Sequence, residues 1–368
     1  MYLEKLNLLN FKNYQEANLS FSPGINIISG PNGSGKTNII DAIHYLSLTK
    51  SAFNSQDALS IKDGEEYFIV NGVFKINNKK NRVSCSLKTG QKKLIQVDKS
   101  PYDKASEHIG RFPVVIITPY DTDIVREGSE ERRKFLDTIF SQTNPQYLSS
   151  LIKYNQVLKQ RNSLLKMEET RRRPEKTLFE IYDEQLIELG KIIFSIRNQE
   201  IQKFLPIFHE TYNRISDKKE EVGINYESQL FPKNYPDLFR KSFEQDLMLQ
   251  RTRMGIHKDD LIFTIHDKPL KNFGSQGQQK TFVTALKLSQ FVLIKEIKEL
   301  NPLLLLDDIF DKLDEFRIER LLQMVSEKNF GQIFITDARI ERSKDLFENI
   351  SPDIRIFNVV KGNIEAIE

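Results

Sequence analysis

Apolar and polar residues alternate in two short segments near the start of the chain. LEKLNLLNF (residues 3–11) and ANLSFSPGINIISG (residues 17–30) carry apolar runs broken by Asn, Ser, Pro and Gly, which predicts strands. From Asn38 onward, NIIDAIHYLSLTK has helical spacing, with Ile39, Ile43 and Leu46 on one stripe. The pattern therefore predicts a strand, a glycine-rich loop and a helix in succession.

A second alternating region follows between residues 66 and 98. EYFIVNGVFKI, NRVSCSLK and KKLIQVD are separated by Asn77-Asn78 and Thr89-Gly90, which are typical hairpin turns. FPVVIITP, Phe112 to Pro119, is a continuous apolar run suited to a strand buried on both faces. We expect an antiparallel meander followed by a buried strand.

Long charged segments with few turn signals begin after Pro119. Two of them, Gln146 to Lys166 and Glu175 to Leu205, are periodic enough for amphipathic helices, with RRRP (Arg171 to Pro174) as the link between them. We interpret this region as a helical insertion.

The earlier pattern resumes near Gly255. LIFTIHDKPL predicts a strand and turn, and a helix is expected from Gln279 to about Leu300. PLLLLDD and QIFITDA are further buried strands, and IRIFNVVKGNIEAI predicts a closing hairpin about Lys361-Gly362-Asn363. The predicted domains are therefore residues 1–118 and 251–368 of one α/β unit, interrupted by a helical insertion at 119–250.

Composition narrows the class of protein. The chain has 368 residues, one cysteine and a net charge of +3, so it has no intrachain disulfide, and any basic surface must be local. The first residues carry Glu4 and Lys5, and no run of about 18 apolar residues occurs anywhere. We expect a soluble, cytoplasmic protein with no membrane segment.

The glycine-rich loop GPNGSGKT carries the clearest chemistry. Its glycines allow backbone N–H groups to point at phosphates, and the following helix adds its positive N-terminal end. We expect Lys36 to reach the β and γ phosphates of ATP and the Thr37 hydroxyl to bind Mg²⁺. A ligand-free glycine turn is the alternative. The predicted nucleotide-binding residues of the loop are Gly30, Pro31, Asn32, Gly33, Ser34, Gly35, Lys36, Thr37 and Asn38.

The segment PLLLLDDIFDKLD supplies the partner motif. A buried strand that ends at Asp307 brings a carboxylate to Mg²⁺, and Asp308 is placed to orient or deprotonate an attacking water. The other interpretation is a strand followed by an aspartate that caps a helix.

The segment FGSQGQQK lies about 30 residues before these aspartates and resembles the L-S-G-G-Q signature of ABC-type ATPases. It retains Ser275, Gly277 and Gln278 but has Gly274 and Gln276 at the other positions; a capping turn would explain one Gly and one Ser as well. In ABC-type heads this motif caps the nucleotide of a second subunit, which implies an ATP-dependent homodimer.

Beyond these motifs the chain resembles the RecF family, in the SMC-like branch of ABC ATPases, over nearly its whole length. The resemblance rests on FKNY (11–14), GPNGSGKTNIIDAI (30–43), REGSEERRKFLD (126–137), VLKQRNSLLK (157–166), GIHKDDL (255–261), GSQGQQKTFVTALKLSQF (274–291) and LLLLDDIFDKLD (303–314). It implies an ABC-type P-loop ATPase head with an antiparallel β meander and an inserted, mainly α-helical domain.

The resemblance also implies a function. A RecF-like protein is expected to be a slow ATPase that dimerises with ATP and binds gapped or junction DNA. With RecO and RecR it loads recombinase in repair, replication and SOS induction. Lys12 and Asn13 would lie near the nucleotide. The sequence departs from the family at Ile256 and Lys258, where the family has Pro and Arg, and at Tyr120, and Asp337 stands where many ABC ATPases place a switch histidine.

A basic stretch between Val73 and Lys104 is a candidate DNA surface. It carries nine Lys or Arg against two Asp, and we predict that Lys79, Lys80, Lys92 and Lys93 contact phosphates. A solvated sheet face is the alternative. Arg171 to Arg173 offer a second basic site, and few aromatic residues accompany either, which favours backbone contact over base stacking.

Other classes of P-loop protein remain as alternatives. A small-molecule kinase needs no signature helix and no long insertion, and a transporter ATPase subunit usually has an intact L-S-G-G-Q and a switch histidine. Another SMC-like head would often carry heptad arms or a nuclease module, and neither is evident.

Overall fold

The computed structural model describes residues 1–167, 176–216, 220–232, 234–309, 320, 323–324, 330–339 and 353–367. Within these residues the strands are β1 (Tyr2–Phe11), β2 (Tyr14–Ser20), β3 (Ile25–Ser29), β4 (Tyr67–Ile76), β5 (Lys79–Lys88), β6 (Leu94–Val97), β7 (Ser100–Pro101), β8 (Val114–Ile117), β9 (Val222–Glu227), β10 (Asp260–Ile265), β11 (Lys268–Pro269), β12 (Leu303–Leu306), β13 (Ile333–Asp337), β14 (Ile354–Val360) and β15 (Asn363–Ala366). The helices are α1 (Lys36–Leu48), α2 (Asp123–Arg126), α3 (Ser129–Thr143), α4 (Pro145–Met167), α5 (Lys176–Ser216), α6 (Tyr235–Lys241), α7 (Phe243–Leu249), α8 (Leu270–Phe273) and α9 (Gln276–Lys298).

The chain divides into two compact units. The first unit comprises Met1–Thr122, Thr211–Lys218 and Gln276–Glu368, and the second comprises Asp123–Glu210 and Lys219–Ser275. From the sequence we assigned residues 251–275 to the ATPase head. They belong to the second unit instead because β10 pairs along its whole length with β9, a strand that we did not predict.

The first unit contains two six-stranded sheets. One is antiparallel, in the order β2-β1-β4-β5-β6-β7, and confirms the predicted meander. The other has the order β15-β14-β3-β13-β12-β8, in which all neighbours are parallel except the closing β14–β15 hairpin. In the parallel sheet β3, β12 and β13 are fully buried, as expected for a sheet covered on both faces.

Helix α1 lies between these sheets. Eleven of its 13 residues are buried, and it contacts β4 and β5 of the antiparallel sheet as well as β8 and β13 of the parallel one. A helix that is buried all round needs apolar residues beyond the single stripe that we predicted, and Ile40, Ala42 and Tyr45 supply them.

Two of the predicted hairpin turns, Asn77-Asn78 and the closing turn at Lys361-Gly362, are confirmed by their backbone angles. Asn77 and Asn78 have φ of 45° and 64°, and Lys361 and Gly362 have φ of 50° and 80°. Two consecutive residues in the left-handed region define the type I′ turn, which matches the twist of the strands it joins. At Thr89-Gly90 the left-handed angle is found at Gly90, within the longer connection between β5 and β6.

The second unit is built from helices around the three-stranded sheet β11-β10-β9. The predicted helix ending at Leu205 was wrong in extent, because α5 continues through Pro206 to Ser216. Beyond Pro206 the helix still presents a buried stripe of Phe208, Tyr212 and Ile215, and this burial offsets the loss of one backbone hydrogen bond at the proline. The RRRP link lies outside the described residues.

Candidate nucleotide-binding site and basic surfaces

The loop between β3 and α1 has a conformation that only glycine adopts easily. Gly30 and Gly35 have φ of 149° and 116°. A Cβ atom on Gly30 would collide with the carbonyl oxygen of Val359, and one on Gly35 would lie 2.5 Å from the side-chain nitrogen of Asn13. Both glycines are therefore required by backbone angle and by space.

A cavity of about 230 Å³ opens beside this loop. Among the described residues it is lined by Asn13, Asn32, Gly33, Gly35, Lys36, Thr37, Asn38, Asp308 and Thr336. The fold thus brings together most of the residues that the sequence indicated, from the loop, from the β1–β2 turn and from the segment after β12. Lys12, Gly30, Pro31, Ser34 and Asp307 belong to the surrounding structure rather than to the cavity lining.

The Lys36 side chain is folded against its own loop. Its Nζ donates to the carbonyl oxygens of Gly30, at 2.7 Å, and Pro31, at 3.0 Å. Burial lowers the pKa of Lys36, and the nearby carboxylates of Asp308, Asp307 and Asp337 oppose that shift. The ammonium group is thus held at the edge of the cavity by neutral carbonyls, which a more strongly charged ligand can replace.

Asp307 lies at the end of β12, and its carboxylate is almost fully buried. Thr37 Oγ1 donates to its Oδ1 at 3.0 Å, and Thr336 Oγ1, from the adjacent strand β13, donates to the same oxygen at 2.8 Å. Burial raises the pKa of Asp307, and these two hydroxyl groups lower it. Because the Thr37 hydroxyl donates its hydrogen bond to Asp307, the lone pairs of Thr37 Oγ1 remain available to a cation.

Asp308 has a left-handed backbone, with φ of 48°. Its N–H donates to Thr336 Oγ1 at 2.9 Å, so Thr336 fixes both aspartates through a single hydroxyl. A non-glycine residue in this region is mildly strained, and such residues are frequent at functional sites. The turn directs Asp308 to the cavity, while Asp307 stays below it.

The FKNY segment braces the loop from the other side. Asn13 Nδ2 donates to the carbonyl oxygen of Ser34 at 3.2 Å, and Asn13 Oδ1 accepts from Asn38 Nδ2 at 2.7 Å. Tyr14 donates from its hydroxyl to the carbonyl oxygen of Gly35 at 3.1 Å. Asn13 therefore lies at the cavity and also ties two parts of the phosphate loop together.

Lys12 is directed elsewhere. Its Nζ lies 2.5 Å from Oδ2 of Asp41, a fully buried residue on α1 that also accepts from the Ser51 hydroxyl at 2.7 Å. Lys12 therefore anchors the FKNY turn to α1, and its predicted contact with the nucleotide stays a prediction.

The signature segment surrounds the start of α9. Ser275 directly precedes the helix, and both Ser275 and Gln276 are exposed, while Gly277 and Gln278 are half-buried. The division between the two units falls between Ser275 and Gln276. The side chains of Ser275 and Gln276 at this helix N-terminus are thus accessible to a second molecule.

The predicted DNA-contacting lysines lie near the two ends of one strand. Lys79 and Lys80 begin β5, whereas Lys92 and Lys93 follow its other end, and a ten-residue strand spans about 30 Å. Lys93 is not a free cation either: its Nζ lies 2.5 Å from Asp57 Oδ2, donates to the carbonyl oxygen of Thr49 and lies 5.3 Å from the Tyr45 ring centre. This geometry argues against Lys93 as a DNA contact.

Three residues of the site were missed by the sequence analysis. Thr336, Tyr14 and Asp41 each hold a predicted residue in place. Tyr14 and Asp41 lie inside the quoted FKNY and GPNGSGKTNIIDAI segments but had been given no role, and Thr336 lies outside every quoted motif. Thr336 had a visible signal, since it is the one hydroxyl residue near the end of the apolar run QIFIT, and ends of neighbouring parallel strands converge.

A parallel sheet with a glycine loop after one strand and paired aspartates after another defines a P-loop ATPase, and the antiparallel sheet and signature helix make it an ABC-type head. The family described as RecF/RecN/SMC N terminal domain matches residues 2–364. The chain belongs to this family.

Individual relatives agree with that assignment. DNA replication and repair protein RecF from Cytophaga hutchinsonii is 48% identical over 365 residues, covering 99% of this chain and 97% of the relative. The protein with the same name from Flavobacterium johnsoniae is 45% identical, covering 98% of this chain and 100% of the relative. The resemblance to the RecF family predicted from the sequence is confirmed.

Solved structures confirm the fold class. A structure of the recombination mediator protein RecF-ATP in the RecFOR pathway has a TM-score of 0.88 and 30% identity, covering 100% of this chain and 98% of the other. An Smc head domain from Pyrococcus furiosus has a TM-score of 0.57 at 19% identity, covering 100% of this chain and 96% of the other, and shows the fold alone. An SMC-like ABC ATPase head with an inserted, mainly helical domain is therefore the correct fold class.

None of the helices in the described part of the chain has the length and apolar character needed to cross a membrane.

Proposed function

We propose that this protein is an ATP-dependent DNA-binding switch in DNA replication and recombinational repair. ATP with Mg²⁺ binds at the cavity beside the phosphate loop and joins two copies of the chain, and the dimer binds single-stranded or gapped DNA. RecO and RecR are the expected protein partners, and recombinase loading and SOS induction are the expected processes. The expected location is the cytoplasm. Slow ATP hydrolysis returns the dimer to separate subunits.

The observation that carries the proposal is the convergence of four segments on one cavity. The phosphate loop, the FKNY turn, the segment after β12 and Thr336 of β13 all line it or support it. The relatives named for DNA replication and repair, and the solved structure named RecF-ATP, support ATP as the ligand and DNA repair as the process.

The residues present fit a magnesium nucleotide. Thr37 offers a hydroxyl oxygen and Asp307 a carboxylate, and these hard oxygen ligands suit Mg²⁺, which keeps most of its water and needs few protein groups. The bound ion would neutralise charge on the β and γ phosphates. No group of three or more His, Cys, Asp or Glu that could hold a metal ion occurs among the described residues.

Each polar group then has a distinct task. Lys36 exchanges its two loop carbonyls for phosphate oxygens, which form stronger charge-assisted hydrogen bonds. Asp308 orients an attacking water or accepts its proton, and Thr336 holds the Asp308 backbone while it does so.

Dimerisation follows from the exposed signature. Ser275, Gln276, Gly277 and Gln278 lie at the start of α9, where N–H groups and the helix dipole favour an anion. In the proposed dimer they cap the γ-phosphate bound by the partner subunit. A nucleotide bound only by the dimer stabilises it by mass action, and loss of the γ-phosphate removes that stabilisation.

On the first unit we place DNA phosphates beside Lys79 and Lys80, with Lys92 as a separate contact. Lys80 forms an exposed pair with Glu4 at 2.8 Å, a type of interaction worth roughly 1 kcal/mol or less, so a phosphate can displace it.

A four-way comparison tests the proposal. Dimerisation is measured by sedimentation, together with affinity for gapped DNA. The four conditions are the unmutated protein with ATP, the unmutated protein with ADP, Lys36→Ala with ATP and Ser275→Ala with ATP. We expect dimer and tight DNA binding only for the unmutated protein with ATP. If ATP changes neither property in the unmutated protein, the switch hypothesis fails whatever the hydrolysis rate.

A further inference from the structure

Two sequence segments have no part in the nucleotide site, yet the fold joins them in the second unit. They are REGSEERRKFLD on α2 and α3 and GIHKDDL before β10. Arg132 forms two hydrogen bonds with the Asp260 carboxylate, Nε to Oδ1 at 2.6 Å and Nη2 to Oδ2 at 3.0 Å. The neighbouring Arg133 forms no ion pair with a carboxylate in the part of the chain that the structure describes; its Nη1 donates to the carbonyl oxygen of Asp259 at 2.7 Å. The charge of Arg132 is therefore paired with a carboxylate, whereas Arg133 contacts a neutral backbone carbonyl.

Arg133 is joined by three more cations from one short segment. Residues 247–258, LMLQRTRMGIHK, include Arg251, Arg253 and Lys258 and no Asp or Glu. All three side chains are exposed, and within the described residues none of them forms an ion pair with a carboxylate. We call Arg133, Arg251, Arg253 and Lys258 the cationic cluster.

The segment that carries the cluster is held from beneath. Asp246, which is fully buried, accepts from the backbone N–H of Arg253 at 3.0 Å and from Arg161 Nη1 at 2.8 Å. Thr252 is 2% exposed, and its N–H and hydroxyl both donate to Asn162 Oδ1 at 2.8 Å. Because residue 252 is pinned inward, Arg251 and Arg253 are presented outward on either side of it.

The next turn is anchored in the same way. The Nδ1 atom of His257 lies 2.8 Å from the hydroxyl of Tyr154, and its Nε2 lies 3.1 Å from the carbonyl oxygen of Thr252. The carbonyl oxygen of Asp259 receives Arg133 directly. The position of Lys258 between these anchors is therefore fixed by buried groups on both sides.

Electrostatics agree with this arrangement. Burial lowers the pKa of Lys258, and the positive charges of Arg251, Arg133 and Arg253 lower it further, while only Asp246 opposes them. The neighbouring cations therefore repel Lys258, although Asp260, Asp259 and Asp137 partly compensate the charge of Arg133. A polyanion that binds there relieves that repulsion.

We propose that the cationic cluster binds the phosphate backbone of DNA, as a contact additional to those on the first unit. The inference rests on the proposed function, because it assumes that DNA is a ligand. Arginine matches phosphate in a two-bond geometry, and several neighbouring cations that form no ion pair among the described residues suit successive phosphates better than the mixed charges of a protein surface.

The test compares two triple variants with the same change of net charge. The first removes the three exposed cations of the cluster and leaves Arg133 in place: Arg251→Gln, Arg253→Gln and Lys258→Gln. The second removes three exposed lysines of α4 in the same unit, Lys153→Gln, Lys159→Gln and Lys166→Gln. Affinity for duplex and for single-stranded DNA is measured with ATP across a salt series.

We expect the cluster variant to bind DNA about tenfold more weakly than the unmutated protein. The slope of log K against log salt should flatten by about 2 to 3 on duplex DNA, because each lost phosphate contact removes about 0.9 from it. On single-stranded DNA the slope should flatten by about 2, because each lost contact removes about 0.7. The α4 control should change the slope by less than about 1. Comparing the two slopes shows whether the cluster contacts duplex DNA, single-stranded DNA or both.

Equal DNA affinity for the two triple variants would overturn the inference and would point to an acidic protein as the occupant. In that case, ATP-dependent DNA binding by the unmutated protein would still support the proposed function. Absence of any DNA binding by the unmutated protein would overturn both. If the triple variant does not fold, Lys258→Gln decides alone, with a slope change of about 0.9 expected and no change contradicting the contact.

Discussion

Both units bury apolar side chains, but the second unit additionally buries two arginines. The first unit encloses apolar residues of two sheets and α1, such as Leu46, Leu305 and Phe68, all at 0% exposure. The second unit encloses two arginines that are essentially inaccessible, Arg161 and Arg197. Arg161 is paired with Asp183 and Asp246, and Arg197 with Asp137 and Asp259.

Apolar packing and buried ion pairs contribute differently to the stability and specificity of the two cores. Apolar packing supplies stability in proportion to area and tolerates changes of similar volume. A buried ion pair contributes little net stability but becomes costly when one partner is lost, so it fixes which segments meet. In the second unit those segments are α3, α4, α5 and the 246–259 region. The cationic cluster lies on α3 and on the 246–259 region.

The largest expected effect is from breaking the ionic core. Arg161→Leu leaves Asp183 and Asp246 buried without their cation, and should lower the free energy of unfolding by about 3–5 kcal/mol in urea denaturation. A loss below about 1 kcal/mol would show that the triad is solvated and would end the contrast between the cores.

A matched variant sharpens that result. When Arg161→Met is combined with Asp183→Leu and Asp246→Leu, no charge is left unpaired, and the free energy of unfolding should return to within about 1 kcal/mol of the unmutated value. This variant should nevertheless bind DNA more weakly than the unmutated protein, because residue 246 no longer accepts the hydrogen bond from the backbone N–H of Arg253.

The apolar core should respond through lost volume. Leu305→Ala in the centre of the parallel sheet should cost about 2–5 kcal/mol, and Leu305→Met less than about 1.5 kcal/mol, since methionine nearly conserves the volume. Thermal unfolding at two salt concentrations checks this, and a strong salt dependence of the difference would contradict an apolar origin.

Acid should weaken the first unit through His108. Its Nε2 donates to the carbonyl oxygen of Leu46 at 2.7 Å, and Nδ1 is buried with no hydrogen-bond partner among the described residues. Burial, reinforced by Arg111, lowers the pKa of His108 to about 4.

Because the folded pKa lies below the unfolded value of about 6.5, the unfolded chain binds the proton first, and stability falls as pH decreases from about 6.5 toward 4. At pH 5 this residue should account for about 2 kcal/mol. His108→Gln keeps a donor for Leu46 and should remove that part of the pH dependence; an unchanged pH profile would contradict the assignment.

The smallest effect is expected at the surface of the second unit. Lys134 is 59% exposed and pairs with Glu130 and Glu131 on the same helix, at 3.0 and 2.8 Å. Lys134→Met should change the free energy of unfolding by less than about 1 kcal/mol, because exposed pairs are screened by water and salt. A larger loss would mean that burial is not what separates strong from weak ion pairs here.

The sequence was most informative where one residue type satisfies a local requirement. The glycines of the phosphate loop, the Asn77-Asn78 turn and the apolar run of β12 each determine a backbone shape by themselves. The same holds for the nucleotide site, whose central residues come from contiguous motifs.

Sequence reasoning was less successful where the outcome depends on residues far apart in the chain. The burial of Lys93 depends on Asp57 and Tyr45, and the continuation of α5 past Pro206 depends on what its apolar stripe packs against. The extent of the second unit depends on β9 pairing with β10, over thirty residues along the chain. None of these partners has a signature of its own.

The most direct test of the account asks whether one nucleotide site is shared by two subunits. Lys36→Ala protein lacks a working phosphate loop and Ser275→Ala protein lacks a working signature, so neither should dimerise with ATP alone. A mixture of the two can assemble one intact site from the loop of one subunit and the signature of the other. We predict that mixing restores ATP-dependent dimers to a measurable fraction in sedimentation; no dimer above the sum of the separate variants would contradict a site shared between subunits.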